Sequence, residues 1–191
     1  MKLKIAYIVQ DDEFFDKLTV REQLIFIARL KLPWHLAEKH VQLLVKKLYL
    51  QKCINSPIYL ISYGEKKRLS IATKLLTNSS ILVLDEPTSG LDSTLATSLI
   101  QLLRNLANDQ RKTIVLSIHQ STSQIFQIFD QVMLISEGRI VFMNKPQAAV
   151  PYFTSLGYQC PAYFNPADYM IAVISTTVLA LKFVKEKNKR Q

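Results

Sequence analysis

Glycine is scarce in this chain. Gly64, Gly90, Gly138 and Gly157 are the only four among 191 residues, where ordinary usage gives roughly thirteen. No two have the spacing of a G-x-x-x-x-G-K-S/T loop, and none precedes Gly64. The sequence as given therefore holds no loop of the kind whose backbone N–H groups and lysine cradle phosphates. Cysteine is also rare: Cys53 and Cys160 lie far apart and fit no metal spacing, so two buried reduced thiols in a cytosolic domain are expected. The N-terminal apolar run reaches only from Ile5 to Val9 before three acids, so it is not expected to be a signal peptide. The longest apolar stretch, Tyr169 to Leu181, is too short to span a bilayer and reads as a packed or interfacial helix. There is no internal repeat and no low-complexity segment.

Hydrophobic residues make up 49% of the chain, enough for one domain with a real core. The net charge of +9 suits an acidic partner, whether nucleic acid, nucleotide or an anionic membrane face. The basic residues are scattered and lack aromatic interleaving, so no nucleic-acid partner is expected. The tail "KFVKEKNKRQ" carries five basic residues against one acid. It reads as a solvated terminus or as a juxtamembrane basic segment.

Strand and helix patterns alternate, which predicts an α/β layered fold. "LKIAYIV" reads as a strand. Thr19 with Glu22 forms a capping box for a helix that stops before Pro33. Ala37, Val41, Leu44 and Leu48 share one face of a second helix. "ILVLDEP" and "TIVLSIH" read as strands buried on both faces, as in a parallel sheet. Between them Asp92 caps a helix striped by Leu95, Leu99, Leu102 and Leu106. A Ser121/Gln124 capping box opens another helix, and "QVMLISEGRIVFM" is a hairpin turning near Gly138. Short helices broken by Pro151, Pro161 and Pro166 finish the chain.

"ILVLDEPTSGLD" carries the most chemistry. Its strand ends in Asp85 and Glu86, which places two carboxylates at the carboxyl end of a sheet, where ligands bind in open α/β folds. An aspartate there can hold Mg²⁺ beside a nucleotide's phosphates. The adjacent glutamate can orient and deprotonate an attacking water. His119 closes the next strand and emerges at the same edge, where it could contact a γ-phosphate.

The order Gln10, "ISYGEKKRLSIA", "ILVLDEPTSGLD" and "SIHQ" resembles the nucleotide-binding domain of an ABC transporter. The resemblance implies a Q-loop role for Gln10, in metal contact and in coupling to a transmembrane domain. It implies a signature loop at Ser62, Gly64 and Glu65. Asp85 and Glu86 match the Walker B aspartate and the catalytic glutamate, Asp92 the D-loop, and His119 the switch histidine. "VREQLIFIARLKLP", "PTSGLDS" and "YFTSLGYQCPAYFNPADYMIAVIS" narrow the match to the G subfamily, the white/scarlet-type half-transporters.

The implied fold is an incomplete P-loop NTPase fold of the ABC ATPase type, a mainly parallel sheet flanked by helices. Its implied parts are a strand and Q-loop at 1–18, a helical subdomain with the signature loop at 19–72, the second half of a RecA-like core at 73–150, and a C-terminal helical segment at 151–191. ATP and Mg²⁺ are the implied cofactors, and a second nucleotide-binding domain and a transmembrane domain the implied partners, at the cytoplasmic face of a membrane. Such transporters typically move lipids, sterols, pigment precursors or xenobiotics.

Two departures stand out. No Walker A loop precedes Gln10, so the chain is expected to be a piece of the machine, without autonomous ATP hydrolysis. A non-catalytic partner that modulates full half-transporters is the alternative. Tyr63 also stands where the family pattern has glycine, and weakened nucleotide contact is expected at that loop.

Overall fold

Three short parallel strands organise the first part of the chain. They are β1 (Ile5–Ile8), β2 (Ile81–Leu84) and β3 (Thr113–Leu116), in the order β1-β2-β3. Their register aligns Ile8 with Leu84 and Leu84 with Leu116, so all three end at one edge. The computed structural model describes residues 4–10, 13–77, 79–119, 122–162 and 164–175. It divides into two units, Met1–His119 and Gln120–Gln191.

In the first unit, α1 (Val20–Lys31), α2 (Trp34–Lys47) and α3 (Tyr63–Leu75) pack on one another, and α3 also packs on β1. α1 starts at the expected place: Glu22 accepts from the Thr19 amide and hydroxyl, each at 2.8 Å. The predicted α2 face is buried at Ala37, Val41, Leu44 and Leu48. α4 (Ser93–Gln110) packs on β3, and its Leu99, Leu102 and Leu106 are buried. Leu95 is partly exposed, and in the first turn it is Ala96 that meets the core.

The strands are not buried on both faces as expected. Leu82 and Leu84 are fully buried while Ile81 and Val83 are half-buried, and in β3 Val115 is half-exposed. Successive side chains alternate sides, so one face of the sheet meets the core and the other is less covered among the described residues.

The second unit contains α5 (Ser123–Ile128), the antiparallel pair β4 (Val132–Ser136) and β5 (Arg139–Asn144), α6 (Ala149–Ser155) and α7 (Pro166–Ser175). Glu137 and Gly138, with φ of 50° and 69°, make the expected turn. Two residues with positive φ match the twist of a tight hairpin, and glycine adopts that conformation without a Cβ penalty. Phe126, Phe142, Phe153 and Met170 form the core of this unit.

Three sequence expectations change here. The cap of α5 is Thr122, whose hydroxyl accepts from the Ile125 amide at 3.3 Å, and Ser121 lies outside the described residues. Pro151 sits in the first turn of α6 rather than breaking it, since proline lacks only an N–H that is unpaired there anyway. Pro166 opens α7 for the same reason. Cys53 is buried but Cys160 is only half-buried. Of the Tyr169 to Leu181 run, α7 includes residues up to Ser175. The rest of that run and the basic tail lie outside the described residues.

Candidate functional site

The carboxyl ends of β1, β2 and β3 bring the chemistry-bearing residues together. The strand ladder continues one step past each end: the Asp85 amide donates to the Ile8 carbonyl at 2.9 Å and the Ser117 amide to the Leu84 carbonyl at 3.1 Å. These bonds fix the backbone at the points where Asp85 and Ser117 leave the sheet.

Asp85 accepts two hydrogen bonds. The Ser117 hydroxyl donates to Oδ1 at 2.8 Å and the Tyr7 hydroxyl to Oδ2 at 3.2 Å. The charge on Asp85 and this bond raise the Tyr7 phenol above its usual value, because the carboxylate disfavours a phenolate beside it. Both partners are neutral hydroxyls, so neither is a counter-ion to the carboxylate.

Glu86 is held from several sides. Its amide donates to the Ser117 hydroxyl at 2.9 Å. Its Oε1 lies 2.9 Å from His119 Nε2, and its Oε2 accepts from Gln10 Nε2 at 3.4 Å. The Gln10 amide also donates to the Ser89 hydroxyl at 3.1 Å. Glu86 has φ of 42°, in the left-handed region. A non-glycine residue there costs of order 1–3 kcal/mol and persists only where its surroundings fix it.

The signature stretch forms its own capping box. Ser62 donates from its amide and hydroxyl to Glu65 Oε2, each at 2.8 Å, and the Glu65 amide donates to Ser62 Oγ at 3.3 Å. Burial pushes the Glu65 carboxyl up, but the donors from Ser62 and Cys53 and the charge of Arg68 together bring it below its usual value. Burial pushes the Cys53 thiol up to about 11, with the Glu65 charge adding to it. Gly64 is buried, beside Leu91, Leu95 and Arg68. Asp92 caps α4, its Oδ1 accepting from the Thr94 and Leu95 amides at 2.9 Å.

The Tyr63 ring lies against Gly90, with the Lys67 ammonium 5.0 Å from its centroid. Lys67 is buried and donates to the Gln10 backbone carbonyl. Lys67 thus ties the start of α3 to the end of β1.

Gln10, Asp85, Glu86 and His119 therefore meet at one edge, and Ser62, Gly64, Glu65 and Asp92 sit at helix starts. Tyr7, Lys67, Ser89 and Ser117 escaped the sequence reading. Only its place, as the first residue past the strand that leads to His119, could have flagged Ser117. The donor set suits Mg²⁺. Asp85 offers a carboxylate, and the Gln10 amide nitrogen is engaged, which leaves its carbonyl oxygen as an acceptor. Among the described residues no group of three or more His, Cys, Asp or Glu side chains is placed to hold a metal ion by itself, and Mg²⁺ commonly takes only one or two carboxylates alongside phosphates and water.

Residues 1–89 match the family described as ABC transporter, and residues 119–190 the one described as ABC-2 type transporter. Structurally, the chain is similar to cbiO1 from Clostridium perfringens, part of the ABC transporter complex cbiONQ. The TM-score is 0.70 at 28% identity, covering 76% of this chain and 58% of that one. Fold and matches thus define an ABC-ATPase-type segment with a P-loop-NTPase-like α/β fold. The relatives narrow the branch. Protein white of Drosophila melanogaster is 41% identical over 92% of this chain, and ABC transporter G family member 25 of Arabidopsis thaliana 45% over 88%. The broad substrate specificity ATP-binding cassette transporter ABCG2 of Mus musculus is 41% identical over 97%. The chain belongs to the G subfamily of ABC transporters, with the white-type proteins. It spans 27–30% of the length of these relatives.

Proposed function

We propose that this segment supplies the metal-, water- and phosphate-facing part of an ATP site in a G-type transporter that moves a lipid-like or other small molecule. The observation that carries this reading is the convergence of Gln10, Asp85, Glu86 and His119 at the ends of three parallel strands, with Glu86 contacted by both Gln10 and His119. Asp85 and the Gln10 carbonyl oxygen would hold Mg²⁺, which supplies charge neutralisation to the phosphates when bound. Glu86 orients and deprotonates the attacking water, and the nearby His119 imidazole contacts the γ-phosphate. Ser62, Gly64 and Glu65 present the start of α3, whose amide groups and dipole favour an anion, to the nucleotide of a second nucleotide-binding domain. Asp92 fixes the adjacent D-loop.

The phosphate cradle must come from sequence outside these 191 residues, since they contain no G-x-x-x-x-G-K-S/T. The same fact supports a second reading, in which the chain by itself acts as a non-catalytic partner that modulates full half-transporters. Among the described residues no helix is long and apolar enough to cross a membrane. We place the segment at the cytoplasmic face, joined to a transmembrane domain. The test is ATP turnover by the intact transporter containing this segment. Glu86→Gln is expected to slow it by about 10²-fold or more, and an unchanged rate sinks the catalytic reading.

A further inference from the structure

We infer that Ser117 is a positioning residue that sets the Asp85 carboxylate and the Glu86 backbone together; the inference rests on the catalytic reading above. Its hydroxyl has a single proton, which it gives to Asp85 Oδ1 at 2.8 Å. The same oxygen accepts the Glu86 amide at 2.9 Å. Donation and acceptance at one oxygen orient each other, so a change on either side is felt by both carboxylate-bearing residues.

Three further features make this bond consequential. The Ser117 backbone is itself fixed, its amide bonded to the Leu84 carbonyl at 3.1 Å, so the hydroxyl sits on the strand ladder rather than on a loose loop. Glu86 is in the left-handed region, a conformation that relaxes unless something holds it, and the Ser117 bond holds its amide directly. Ser117 and His119 also both lie just past the end of β3, and His119 Nε2 lies 2.9 Å from Glu86 Oε1. One strand end therefore grips Glu86 at the amide and at the carboxylate. Tyr7 fixes only the other Asp85 oxygen, at 3.2 Å, and has no bond to Glu86 among those described.

The experiment compares Ser117→Ala, Ser117→Thr and Tyr7→Phe in the intact transporter, beside Glu86→Gln. Two quantities are read: ATP turnover with its KM, and hydrogen exchange at the Glu86 amide without nucleotide. Ser117→Ala is expected to lower kcat by roughly 10–10²-fold with KM for ATP little changed, the loss characteristic of small misplacements. It is also expected to speed exchange at the Glu86 amide. Ser117→Thr keeps the hydroxyl on an exposed position and should restore both. Tyr7→Phe should leave Glu86 exchange unchanged.

An unchanged kcat in Ser117→Ala, or a Ser117→Thr variant as slow as Ser117→Ala, overturns the inference. So does a Glu86 amide that exchanges equally in Ser117→Ala and wild type. If Glu86→Gln turns ATP over as fast as wild type, the catalytic reading fails first. If Glu86→Gln abolishes turnover while Ser117→Ala does not slow it, only the role of Ser117 fails.

Discussion

Tyr63 shows how one side chain can be decided by a distant glycine. A Cβ added at Gly90 would lie 3.0 Å from the Tyr63 ring, and Gly90 has φ of +74°. The ring therefore depends on a position that has no side chain and a backbone that favours none. Gly90→Ala is expected to destabilise the protein by about 1–3 kcal/mol, as read from denaturant midpoints. In a Tyr63→Ala background the steric share should vanish and only the backbone share remain, so the two substitutions should not add. The departure at Tyr63 was visible in the sequence, but the direction of its ring was not. Asp85, Glu86 and His119 were legible because few residue types follow an apolar strand with that chemistry. Tyr7 and Ser117 were not, because a tyrosine or serine in a strand gains meaning only once register puts it beside a carboxylate. Lys67 carried no signal in the sequence, yet it is buried against Tyr63 and the Gln10 carbonyl.

At the scale of elements, the helix starts were the most readable features. The Thr19/Glu22 and Ser62/Glu65 boxes are local, three residues apart, and need no tertiary information. The cap of α5 fell one residue from its expected place, since serine and threonine are adjacent there and either hydroxyl could serve. Ser62→Ala should cost about 1 kcal/mol. The boxes also set an acid limit. Glu65 and Glu22 both lie below their ordinary value of 4.5 in the folded chain. Each therefore adds stability that is fully present above 4.5 and is lost as pH falls through the lower folded value. Denaturant midpoints are expected to decline below pH 4.5, and Glu65→Gln should flatten that decline. An equally steep decline in Glu65→Gln would remove Glu65 from the account. The burial of the strands was the least readable feature. Four apolar residues in a row suit a strand covered on either or both sides, and the covering layer is not written in the strand itself.

For the molecule as a whole, the parallel order of β1, β2 and β3 matters most. It turns three separate sequence motifs into one edge: Gln10 follows the first strand, Asp85 and Glu86 the second, Ser117 and His119 the third. The α/β class and the shared edge were legible because alternating strand and helix patterns imply parallel strands. The division into two units at His119 left no such mark, since no glycine, proline or low-complexity linker announces it. The proposal is that, in the intact transporter, this edge takes part in hydrolysing ATP rather than merely in binding it. The most direct measurement is the identity of the nucleotide held by the intact transporter after incubation with Mg-ATP and acid quench. Wild type is expected to hold mainly ADP, and Glu86→Gln mainly unhydrolysed ATP at the same stoichiometry. ADP accumulating in Glu86→Gln as fast as in wild type would contradict the claim.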